Sequence, residues 1–100
     1  NLTQSHRDRA DGLTYVVSQS DPGVWNWLDP CDMNEGILTL RWAEFADGRP
    51  AAGFGARSRV VKLGELDREL PVEVRRVTPE ERRSQCAARA QSYAWRIAEA

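Results

Sequence analysis

Apolar and polar positions alternate most regularly over residues 37–45 (ILTLRWAEF), where Leu38, Leu40 and Trp42 fall on one face and Thr39 and Arg41 on the other. That two-residue period predicts a half-buried strand. Residues 13–19 (LTYVVSQ) are rich in β-branched and aromatic side chains and end in turn formers, which predicts a second strand. Residues 57–63 (RSRVVKL) are a third candidate. Residues 64–70 (GELDREL) allow at most two helical turns before Pro71, and residues 72–77 read as a short edge strand or an extended connector.

At Thr78-Pro79-Glu80-Glu81 the period changes. Thr78 is a fit N-cap, Pro79 suits the first helical position, and Glu81 completes a capping box, so a helix is expected from there to about residue 98. Its spacing puts Cys86, Ala90, Tyr93 and Ile97 on one apolar stripe, fit to pack on this domain's own sheet or on another subunit or a missing domain. Arg82, Arg89 and Arg96, seven apart, share another stripe that reads as a solvated face. Strands followed by one terminal helix predict a mainly β (α+β) fold. The expectation is an antiparallel, jelly-roll-like sheet or sandwich carrying one long C-terminal helix. It is a single domain over 1–100, divided into a lead-in (1–12), a β region (13–77) and the helix (78–100), and is read as the C-terminal part of a longer polypeptide.

The densest chemistry lies in Asp21-Pro22-Gly23-Val24-Trp25-Asn26-Trp27-Leu28-Asp29-Pro30. Asp-Pro-Gly predicts a tight turn with Gly23 at positive φ, and Asn26 and Asp29 are able to bond nearby backbone and lock the loop. Trp25 and Trp27 admit two readings. They plug the fold, at least one ring being largely buried near Leu38 and Trp42, or they form a stacking platform for an apolar or sugar-like ligand. In the second reading Trp25, Asn26, Trp27, Asp29 and Arg41 are the candidate ligand-binding residues.

Catalytic groups are scarce. His6 is the only histidine, in a polar lead-in expected to be irregular, and a Cys31–His6 pair has no third orienting group. Asp29, Asp32 and Glu35 are spaced by three, but the glycine at 36 falls one position early for a calcium loop. Gly53-Phe54-Gly55 lacks the third glycine of a dinucleotide fingerprint and precedes a strand candidate. No catalytic residue, metal ligand or cofactor is therefore expected.

Composition narrows the partners. A formal net charge of −1 on 100 residues offers no basic field for nucleic acid, and no apolar run is long enough to span a membrane. Cys31 and Cys86 make neither a disulfide framework nor a zinc site, so two free thiols are expected. Two reduced cysteines fit a cytoplasmic location, and of the 14 basic residues all but Lys62 are arginine, a bias that suits a GC-rich bacterial genome.

Asp11-Gly12, the Tyr-Val-Val stretch, Asp-Pro-Gly-Val, Asn-Trp-Leu-Asp and Glu-Gly followed by Arg41-Trp42 resemble bacterial proteins carrying domain of unknown function 1214. The Thr-Pro-Glu-Glu-Arg helix opening is similar to the next segment of proteins in that group. The likeness covers most of the chain and is dense from Gly12 to Trp42. It implies a C-terminal, jelly-roll-like β domain with no established activity or cofactor. Where that family commonly has a threonine and a glycine-containing turn after Asn-Trp-Leu-Asp, this chain has Pro30, Cys31, Asp32 and Met33. The expected function is a non-catalytic β domain with a structural or assembly role, binding an apolar or sugar-like ligand. The alternative is an accessory domain of an enzyme on polysaccharide or lipid-like substrates, its catalytic residues outside this chain. The expected partner is the missing N-terminal part of the same protein or a second subunit, met through the C-terminal helix.

Overall fold

The structure is a computed structural model, and it describes residues 5–7, 12–40 and 55–99, with side chains through 97. Its regular elements are β1 (Val16–Val17), β2 (Trp27–Leu28), a 3-10 turn (Leu63–Glu65) running into α1 (Leu66–Glu69), and α2 (Pro79–Glu99). β1 and β2 pair in parallel, Val16 opposite Trp27 and Val17 opposite Leu28. Between them the chain folds out and back, and Val24 forms an antiparallel bridge with Arg76. Two backbone bonds close that bridge, Trp25 N–H to the Arg75 carbonyl at 2.8 Å and Val77 N–H to the Gly23 carbonyl at 2.9 Å.

The core is small and sits under this crossing. Val24 is 1% exposed and packs with Val16, Leu66 and Val74, with Val61 and Leu70 at the margin. Its members come from one strand, the loop, α1 and the connector before α2. α2 starts where its capping box put it: Glu81 N–H donates to Thr78 Oγ1 at 3.2 Å and Thr78 N–H to Glu81 Oε1 at 3.0 Å. No helix among the described residues is long and apolar enough to cross a membrane.

The mainly β, jelly-roll or sandwich expectation is overturned. Among the described residues the only strands are two residues long and run parallel, and the rest is helix or irregular chain. Residues 37–40 are irregular and pair with no strand among the described residues, Ile37 being 94% exposed; residues 41–45, with Arg41 and Trp42, lie outside the described set, as does most of Gly53-Phe54-Gly55. Residues 57–62 are irregular too, and 72–77 form a connector with one bridging residue. The physical reason is that alternation reports only that a segment has two unlike faces. A strand exists once another strand accepts its N–H and C=O groups, and β preference follows that context.

The helix is corrected as well. Cys86 and Ala90 are exposed, as are Tyr93 and Ile97, so the apolar stripe does not pack on a sheet. The face turned to the domain carries Arg82 and Gln85, 7% and 5% exposed.

Candidate functional site

Two Asp-Pro turns frame the tryptophan loop. In the first, the Asp21 carboxylate accepts from Gly23 N–H at 2.8 Å and Gly23 takes φ 76°. In the second, Asp29 Oδ1 accepts from Cys31 N–H at 2.8 Å, and Cys31 and Asp32 take φ 56° and 63°. Met33 N–H closes on the Pro30 carbonyl at 3.1 Å, giving a type I′ turn with no glycine in it.

Between the turns, Asn26 is buried and uses its amide fully. Its Oδ1 accepts from His6 N–H at 2.8 Å, and its Nδ2 donates to the carbonyls of His6 at 2.8 Å and Thr14 at 3.1 Å. The side chain acts as a strand edge for the lead-in, pinning His6 by both its backbone groups. Trp27 donates its indole N–H to the Ser18 carbonyl at 2.8 Å.

Arg82 holds the loop to α2. Its Nε donates to Asp21 Oδ2 at 3.0 Å and its Nη2 to Asp21 Oδ1 at 3.1 Å, a two-point grip. Nη2 also donates to the Val24 carbonyl, and Nη1 to Gln85 Oε1 and, at 3.3 Å, to the Trp25 carbonyl. All five guanidinium N–H groups are thus used. Gln85 adds a bond from Nε2 to the Trp25 carbonyl at 2.9 Å. Burial works to raise the Asp21 pKa, but the bonds from Arg82 and Gly23 N–H and the Arg82 charge outweigh it and hold the carboxyl below its ordinary value.

Each tryptophan is half-buried and meets a different guanidinium: Arg75 lies 3.6 Å from the Trp25 ring centroid and Arg82 5.0 Å from that of Trp27. The two rings therefore pack on the segment before α2 and on α2 itself, whereas Leu38 is exposed. Beside Trp25 a cleft of about 300 Å³ is lined by Ser5, His6, Arg75, Gln85 and Arg89, among others.

No family model, curated protein or solved structure matches the chain. The likeness to proteins with domain of unknown function 1214 rests on the motifs quoted above, and the jelly-roll it implies is not what the described residues form.

Of the four candidate ligand residues that are described, Trp25 alone lines the cleft. Asn26 is committed to the lead-in and Trp27 to Ser18 and Arg82, Asp29 is a turn acceptor, and Arg41 is outside the described residues. The sequence reading missed Arg82, Gln85, Arg75 and Arg89 as loop and cleft residues. The seven-residue arginine spacing was the available signal, and it pointed to solvent. Both thiols are free and exposed.

Proposed function

We propose that this chain is a non-catalytic assembly domain whose terminal helix docks on a second copy of the chain. The observation that carries this is the end of α2, where Tyr93, Trp95 and Ile97 are 63%, 66% and 58% exposed. At about 100° per residue, Trp95 points some 160° away from Tyr93 and Ile97. The helix end is therefore apolar on opposite sides, a pattern that belongs to a helix enclosed by other chain. The same molecule exposes apolar counterparts at Ile37, Leu38, Leu40, Val60 and Val72. With exposed apolar side chains at the helix end and at these positions of one chain, a closed two-fold dimer offers both a partner at once. The exposed thiols of Cys31 and Cys86 suit a reducing compartment, which supports a cytoplasmic location.

Sedimentation equilibrium across a dilution series tests the reading. The parent should show twice the single-chain mass, and a Tyr93→Ser/Trp95→Ser variant the single-chain mass with its helical circular dichroism kept. A parent of single-chain mass at every concentration, or a variant that still dimerises, would overturn it.

A further inference from the structure

The cleft beside Trp25 has a chemistry that the loop-locking bonds do not use. Arg75 stacks its guanidinium face on the indole at 3.6 Å, which leaves the N–H edge free to bond in its own plane. Among the described residues the carboxylate paired with that edge is Glu81 at 3.8 Å, beyond hydrogen-bond length, and both side chains are about half in solvent at 41% and 46% exposure. Arg89 stands one turn beyond Gln85 on the same helix face, half-buried, with neither a hydrogen bond nor an ion pair among the described residues. His6 completes the rim, its backbone fixed on both sides by Asn26. Among the described residues no carboxylate lines the cleft. Two guanidinium groups thus face the cleft, one stacked on an aromatic wall 3.8 Å from Glu81 at its outer side and one without a partner among the described residues.

We propose that this cleft binds a small aryl oxyanion. Its carboxylate or phosphate group lies between Arg75 and Arg89, and its ring lies against Trp25. Planar guanidinium forks match such oxyanions in geometry as well as charge. At about 300 Å³ the space suits one ring and its anionic group, since about 150 Å³ already holds benzene. None of the side chains that line the cleft is one on which the dimer reading rests.

The test is calorimetric titration of the whole chain with phenyl phosphate, benzoate and neutral benzamide at low salt. At least one anion should bind saturably with a dissociation constant of about 1 mM, as such small ligands allow, and weaken as salt rises. Preference for phenyl phosphate or for benzoate identifies which oxyanion the site takes; either supports the proposal. Arg89→Gln should weaken binding at least about fivefold, as loss of one charge-assisted bond implies. Arg89 holds no bond to any described residue, so this variant should keep its helical circular dichroism. Saturation by neither anion, equal binding of benzamide, or an Arg89→Gln variant that binds like the parent would each overturn the proposal.

Discussion

The two halves of α2 are built by opposite rules. Its first turns meet the domain with polar side chains, and Arg82 and Gln85 are buried there because main-chain carbonyls, the Asp21 carboxylate and Gln85 Oε1 use every donor of Arg82, while Gln85 Nε2 donates to the Trp25 carbonyl. Its last turns carry large apolar side chains that stay more than half exposed. Burial on this helix follows hydrogen-bond demand, not hydropathy. The loop at 23–25 turns carbonyls toward α2, and a long cationic side chain reaches them better than an aliphatic one. If that contrast is right, cutting the polar half should unfold the molecule, and cutting the apolar half should only separate it from its partner.

The sharpest way to break the contrast is Arg82→Met, which keeps an apolar stem and removes five donors. It should cost about 3 kcal/mol, at the lower edge for a broken buried pair because Asp21 is partly solvated. Chemical denaturation reads this, and Tyr93→Ser/Trp95→Ser measured at a concentration where the parent is a single chain should lie within about 0.5 kcal/mol of it. Next is Asn26→Asp. The carboxylate it introduces has no N–H to donate, which leaves the His6 and Thr14 carbonyls without their donors, and a loss of about 2 kcal/mol is expected in the same assay.

How far these contacts were legible in the sequence depends on the range of the signal. The capping box at Thr78 and Glu81 and the Asp21–Gly23 turn are settled within four residues, and both stand where local chemistry put them. The Arg82 grip was illegible because Asp21 lies 61 positions away and its other acceptors on the loop are carbonyls, which every residue has. The alternation at 37–40 is real, but no strand among the described residues receives it.

The paired Asp-Pro turns sharpen the comparison further. Gly23 and Cys31 hold equivalent positions at positive φ, at ease in one and strained in the other. Cys31→Gly should raise stability by about 1 kcal/mol and reduce the native thiol titre from two to one. The smallest effect is on pH. The folded pKa of Asp21 is lowered, so its contribution is complete above the unfolded carboxylate value of about 3.9 and fades as pH falls through the folded value. Denaturation midpoints measured below about pH 4 should fall, and less steeply in Asp21→Asn.

Amide hydrogen exchange in Arg82→Met tests the central claim most directly. Trp25 and Val77 N–H close the bridge between the loop and the segment before α2, and in the parent both should be among the slowest amides. In the variant the two should lose protection together while the amides of 86–92 keep theirs relative to the variant's global stability. Unchanged protection at Trp25 and Val77 would show that the loop stays docked without Arg82, and would contradict the account.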